Sequence, residues 1–307
     1  MKKTDANICR KGRPALKKLS HRPRNVLINR SVAGNIILFL FLALVGAFTA
    51  LPLVYQILTA FKPLDELFLY PPRFYISRPT LKNFTDMSSV LGDSYVPFVR
   101  YVFNSVITTV IASVGHLAVS AMVAYPLAKH YHVKYRGAIF SVIFYSLMFS
   151  TYVLGIPRFL VMSKMHMLDS YWALILPSMA STLGVYLLKC FMDQLSDSIL
   201  EAARIDGAGE FRILWTVVMP SIKPAWLTLI MLLVKDLWND TNSPTLYVFN
   251  DSIKTLPVLM NYITTSGNVR AGVGAAFSLI MLAPPVIIFV LSQSKVIETM
   301  KSAGVKE

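Results

Sequence analysis

Charge is scarce in this chain. Of its 307 residues only 15% are Asp, Glu, Lys or Arg, and acids are the rarer sign at 16 against 30 bases. A soluble domain carries about 25% charged residues, so the shortage excludes an ordinary solvated surface. Cysteine is nearly absent: Cys9 and Cys190 lie far apart, and both fall on segments assigned below to a reducing compartment. No disulfide and no cysteine metal site is expected. Several motifs are missing as well. There is no Gly-x-x-x-x-Gly-Lys-Ser/Thr segment, and the glycine cluster Gly267 to Gly274 contains no lysine, so the chain cannot itself cradle ATP by that route. No His-Glu-x-x-His, paired-carboxylate or nucleophile-elbow pattern occurs, and five scattered histidines make no metal site. The expectation is a protein that performs no covalent chemistry and binds no cofactor of its own. His130 and His132 read as interfacial surface residues.

What is present is apolar: 55% of residues are hydrophobic and mean hydropathy is +0.55, values that place the chain in the membrane class. The net charge of +14 would suit nucleic acid if it were spread along the chain. Instead it is concentrated in residues Met1 to Gly34, where ten Lys or Arg face the single acid Asp5, and in short connectors. That distribution matches lipid topology, and no nucleic-acid partner is expected.

Residues 1–34 read as a basic tail interrupted by Pro14 and Pro23, and Asn35 to Phe61 as a first transmembrane helix bent near Pro52. The run is too long and its basic lead too extended for a cleaved signal peptide. Residues 62–102 form an extracytoplasmic segment. Residues 103–307 carry the remaining spans: Phe103 to Ala128, Gly137 to Met162, Tyr171 to Met192, Ala225 to Thr245 and Gly272 to Ser292. The fold class is all-α, with six spans. Both termini then share a face with the basic connector Lys129 to Arg136 and with Lys295 and Lys301, and that face is cytoplasmic by the positive-inside rule. The opposite face holds Lys62 to Val102, a short segment near Lys164, and Leu246 to Ala271.

Residues 193–222, between the fourth and fifth spans, are long for a connector in a compact bundle. They read as a short helix ending at Gly207, where glycine accepts the left-handed cap, and a second helix from about Gly209 stopped by Pro220 and Pro224. Leu200, Ala202, Ala203 and Ile205 form a small-residue surface that another protein can approach closely, flanked by the charges of Glu201 and Asp206. Such a projection fits a groove on a soluble partner. Asp206, just before a turn, could also serve only as a cap.

Glu201-Ala202-Ala203, three residues, Gly207, nine more and then Val217-x-Met219-Pro220 resembles the EAA motif of the permease subunits of ATP-binding-cassette importers; Val217 and Met219 replace its isoleucine and leucine conservatively. Pro79-Thr80-Leu81-Lys82-Asn83-Phe84, Phe98-Val99-Arg100-Tyr101 with Asn104-Ser105, Trp238-Asn239-Asp240, Lys254-Thr255-Leu256-Pro257 and Ala303-Gly304-Val305-Lys306 are similar to segments of maltose-type carbohydrate permeases, in the half resembling the smaller of the two. The likeness covers roughly Leu51 to Glu307 and leaves out the basic tail. It implies a type I importer permease whose last five spans form the core, and whose coupling loop 193–222 meets an ATPase through Glu201, Ala202, Ala203, Asp206, Gly207 and Pro220. The implied partners are a second homologous permease, two ABC ATPase subunits that bind the ATP, an extracellular solute-binding protein and the bilayer of a bacterial cell membrane. The implied substrate is a sugar or oligosaccharide; amino acids, peptides or polyamines are alternatives within the class. An ion-driven secondary transporter, which offers no reason for the hairpin, and a membrane scaffold are the rivals from outside it.

Starting the fifth span at Ala225 places Lys235 and Asp236 near mid-bilayer, where each charge costs about 2.5–3.5 kcal/mol if it faces lipid. They should face protein or water. Asp236, sharing a helix face with Asp240, joins Asn239 and Lys235 as candidates for the substrate pathway; an ion pair with the second permease is the competing reading. His116 reads as a satisfied buried histidine. In Leu246 to Ala271, Tyr247, Asn250 and Asp251 are candidates for contact with the binding protein.

Overall fold

The computed structural model describes residues 32–71, 73–90, 96–130, 134–149, 153–265 and 271–303, of which 88–90, 264, 265, 271 and 294–303 by backbone only; every regular element among them is helical. The basic tail through residue 31, His132, Gly267 and the ending Gly304 to Lys306 lie outside the described residues. The chain divides into two compact units, Met1–Leu51 and Pro52–Glu307.

The first unit, as far as it is described, is the greater part of α1 (Val32–Ala60). Through Leu51 the helix presents almost nothing but exposed apolar side chains. Its 29 residues are about 43 Å long at 1.5 Å each, more than the roughly 30 Å of a hydrocarbon core.

The second unit opens with the end of α1, then α2 (Leu64–Leu67) and α3 (Lys82–Val90). Lys62 is buried there, donating to the Arg73 carbonyl with its ammonium 5.5 Å from the Tyr55 ring centroid. Asn83 Nδ2 donates to the carbonyls of Ala60 at 2.9 Å and Lys62 at 2.8 Å, satisfying two groups at a helix end.

The centre of the unit is α4 (Phe98–Lys129). Asn104, Thr108, Ala112, His116, Ser120, Ala124 and Ala128 recur at a spacing of four, and all are buried. Residues four apart line one ridge of a helix, and small or hydroxylic side chains let a neighbouring backbone come close where lipid offers no hydrophobic drive to pack. Two partners take that face: α7 (Tyr171–Met179) and α8 (Thr182–Asp193). On α8 a second row at the same spacing, Gly184, Leu188 and Met192, is buried. His116 is the satisfied buried residue expected: Nδ1 lies 3.0 Å from the Ser178 carbonyl and Nε2 3.2 Å from Ser120 Oγ.

Between α4 and α7 lie α5 (Arg136–Ser146) and α6 (Gly155–Lys164). These are two short helices where one span, Gly137 to Met162, is expected; residues 150–152 between them are not described. Then come α9 (Asp197–Ile205), α10 (Glu210–Ile213), a π-helical turn Leu214–Val218, α11 (Met219–Ser221) and α12 (Lys223–Trp238). The order ends with α13 (Asn242–Tyr247), α14 (Leu256–Thr265) and α15 (Ala271–Ala303). Among the described residues four helices are long and apolar enough to cross a membrane, and five if the bent pair Glu210–Ser221 with Lys223–Trp238 is one span. The difference from six comes from the α5–α6 region. α12 packs on both α4 and α15, where Trp238 Nε1 donates to the Met281 carbonyl at 2.9 Å.

The α4–α8 crossing depends on Gly184 having no side chain. A Cβ there would stand 2.2 Å from His116 Nε2 and 2.4 Å from Ser120 Oγ, and overpacking of this kind costs about 1–3 kcal/mol. Gly184→Ala should therefore lower the thermal midpoint of the detergent-solubilised protein by several degrees, whereas Gly137→Ala, which lies in α5 and meets nothing within 4 Å, should leave it equal or slightly raised.

Candidate functional site

The hairpin at the Lys129 end of α4 is built around its turn. Gly207 has φ +79°, a conformation glycine adopts without Cβ strain. Its N–H donates to the Arg204 carbonyl at 3.0 Å, and that of Ala208 to the Ala203 carbonyl at 3.0 Å. This pair of bonds is the Schellman arrangement, and it satisfies two end carbonyls of α9. The expected stop at Gly207 is present. The expected stop at Pro220 is not: the chain continues helically past it and breaks at Ile222, where the axis turns by 83°. Proline has no N–H and its ring collides with the carbonyl four residues back. The wider π turn ahead of Pro220, in which Met219 N–H reaches the Leu214 carbonyl, accommodates that loss. Pro224 opens α12 in its first turn, where proline is tolerated. Trp226 Nε1 donates to the Met219 carbonyl at 3.0 Å and braces the inside of the elbow.

The small-residue face is also revised. Leu200 is 2% exposed and Ala203 is half-buried; both pack on the cluster formed by Leu188, Met192, Ile213 and Val218. The outward face consists of Glu201, Ala202, Ile205, Asp206 and Gly207. The carboxylates of Glu201 and Asp206 have no hydrogen-bond or ion-pair partner among the described residues. Asp206 is the C-cap of α9, so its charge opposes the helix dipole and does not serve as an N-terminal cap.

Residues assigned no such role from sequence hold the hairpin in place, among them His130, which is half-buried against Tyr125 and not a plain surface residue. Glu210 accepts from Tyr125 Oη at 2.6 Å on Oε2 and from Arg204 Nε at 2.7 Å on Oε1, with His130 Nε2 3.2 Å from Oε2. The Glu210 carboxylate raises the affinity of the Arg204 guanidinium for its proton above the usual value. Buried Lys129 donates to the Leu195 carbonyl at 2.6 Å and to Asp197 Oδ1 at 2.8 Å. The last turn of α4 thus ties both limbs of the hairpin.

At the other end of α4, Asn104 Nδ2 donates to the carbonyls of Ser252 and Lys254, both at 2.9 Å, and Ser105 Oγ accepts from Leu256 N–H at 2.7 Å. Asp169 Oδ1 accepts from the amides of Phe249 at 3.0 Å and Asn250 at 2.7 Å. The loop after α13 is therefore fastened on two sides. Asn250 and Asp251 are exposed on it, and Asp251 pairs with Lys254 at 2.7 Å. Tyr247 is not on the surface: at 2% exposure it packs with Ala173 and Leu174 beneath the loop.

The fifth span ends at Trp238, earlier than Thr245, so Lys235 and Asp236 occupy its last turn and not its middle. Asn239 and Asp240 follow the helix, and Asp240 Oδ1 accepts the amides of Asn242 at 2.9 Å and Ser243 at 3.1 Å, capping α13. The helix face expected for Asp236 with Asp240 therefore does not form. Lys235 and Asn239 line an open cavity of about 680 Å³ between α12, α14 and α15; Asp236 is not among its lining residues.

The described residues thus form a cluster of apolar helices that carries an outward hairpin bearing the carboxylates of Glu201 and Asp206. The sequence model of the binding-protein-dependent transport system inner membrane component matches residues 117–299, and the chain belongs to that family. Protein LplC of Bacillus subtilis is 33% identical over 238 residues, 76% of each chain. The arabinooligosaccharides transport system permease protein AraQ of Bacillus subtilis is 28% identical over 89% of this chain and 96% of its own. The sn-glycerol-3-phosphate transport system permease protein UgpE of Yersinia enterocolitica is 33% identical over 66% of this chain and 73% of its own. In structure, the chain resembles one from a bacterial ABC transporter involved in the import of the acidic polysaccharide alginate, with TM-score 0.74 and 22% identity over 86% of this chain and 98% of that one. This likeness shows the fold.

The clasp predicts its own consequence. Glu210→Gln and Arg204→Met should each weaken the attachment of the hairpin by about 1 kcal/mol, since the pair is partly solvent-screened. Limited proteolysis at Arg212 should then quicken several-fold without a change in the oligomer seen by size exclusion.

Proposed function

We propose that this chain is the permease subunit of an ATP-driven importer for sugars or oligosaccharides, and that its hairpin receives the stroke of an ATPase. One observation carries the mechanism: Glu201 and Asp206 stand outward without partners among the described residues, while both limbs of the hairpin are fastened to α4. Unpaired charges on a rigid mount suit docking to a complementary surface more than they suit stability of the chain itself. Basic residues in the tail and in the connector after α4 support a cytoplasmic hairpin on the side of both termini, with the fastened loop bearing Asn250 and Asp251 on the extracytoplasmic side.

In this reading ATP binds only to the partner subunits, and this chain does no covalent chemistry. One such chain offers half a pathway, so a second permease, two ATPases and an extracytoplasmic binding protein complete the assembly. Closure of the ATPases moves the hairpins, and the 83° elbow passes that movement to α12 and its cavity. The sugar class is supported by the relative that carries arabinooligosaccharides and by a fold shared with a polysaccharide importer.

Glu201→Lys and Ala202→Glu should reduce recovery of the ATPase in a pull-down from solubilised membranes at least tenfold, with the permease still monodisperse. Undiminished ATPase recovery with both variants would refute the docking role.

A further inference from the structure

The cavity beside α12 contains one charged side chain. Lys235 lines it, and no carboxylate does. The other polar groups on its wall are amides and hydroxyls, among them Asn239, Thr241 and Ser278, set between the apolar Met281 and Leu282. Lys235 has no ion-pair or hydrogen-bond partner for its ammonium among the described residues. The two nearest acids in sequence do not neutralise it in the cavity: Asp236 is outside the lining, a turn of about 100° around the helix, and Asp240 is held by the amides of Asn242 and Ser243. Lys235 is exposed, and the dipole of α12 accounts for a base in its last turn but not for its lining, with amides and hydroxyls, a cavity that holds no counter-charge. At about 680 Å³ the cavity is within the range of small-ligand sites, about 300–1,000 Å³.

We propose that Lys235 is an anion subsite on the translocation path, and that the substrate is a saccharide bearing a carboxylate or phosphate group. The ammonium acts as a compact point charge that pairs with either anion, while the surrounding amides and hydroxyls bond the sugar hydroxyls and the apolar side chains contact the ring faces. This inference rests on the sugar-importer reading.

The test uses proteoliposomes holding the complete assembly with its binding protein, and four probes: trigalacturonate, its neutral methyl ester, glucose 6-phosphate and glucose. The unaltered assembly should import at least one anionic probe, and which one it imports identifies the source of the negative charge. Lys235→Met and Lys235→Gln should slow that import at least tenfold and leave uptake of the neutral counterpart within twofold, with Lys235→Arg close to the unaltered rate. Import of only neutral probes overturns the subsite while leaving the sugar reading intact. So does an equal loss of both kinds in the variants, as expected if Lys235 pairs with the second permease, and so does no loss at all. Failure to import any of the four refutes the sugar reading and the subsite with it.

Discussion

The close approach along α4 is the constraint on which the second unit depends. Seven side chains spaced by four, from Asn104 to Ala128, are small or hydrogen-bonding, and all are buried. In a bilayer the exclusion of water does little to join helices, so packing distance and polar bonds must do it. The row meets both needs. Its small members admit α8 at Gly184 and its polar members, Asn104 and His116, satisfy carbonyls of neighbouring elements. The same helix ends in Tyr125 and Lys129, which hold the hairpin, and begins with Arg100 and Asn104, which hold the loop on the opposite face.

This arrangement gives the permease a mechanical reading. The hairpin tip is exposed, but its base is tied to α4 on both limbs and continues through the elbow into α12. A displacement imposed at Glu201 therefore has two routes into the membrane. One runs along α4 to the loop of Asn250, the other through Ile222 into the helix that carries Lys235. In the proposed importer the fold supplies the transmission, and the energy would come from the ATPase partners.

Part of this was legible in the sequence. The spacing from Glu201 to Gly207 located the tip and its left-handed turn, because only local bonds are needed to form a Schellman end. The helical class and the positions of most spans followed from run length. What was not legible depends on contacts between distant residues or on where a helix stops. Tyr125 and Glu210 are 85 positions apart, and nothing local marks them as partners. The effect of Pro220 depended on whether the turn ahead could widen. Lys235 was placed too deep because the span was carried on to Thr245, although Asn239–Asp240 and the polar residues after them mark its end at Trp238. The α4 row was visible as a spacing of four, but averaged hydropathy conceals a polar stripe inside an apolar helix.

The central claim is that hairpin and opposite loop are joined by α4 as one body. It is tested most directly by the distance between spin labels at Ile205→Cys and Phe249→Cys, in an assembly whose chain carries serine at positions 9 and 190. Both labelled positions are exposed, at 86% and 62%. One narrow distance distribution, unchanged between nucleotide-free and ATP-bound assemblies, is the predicted result. A broad distribution, or a shift of several ångströms on ATP binding, would contradict it.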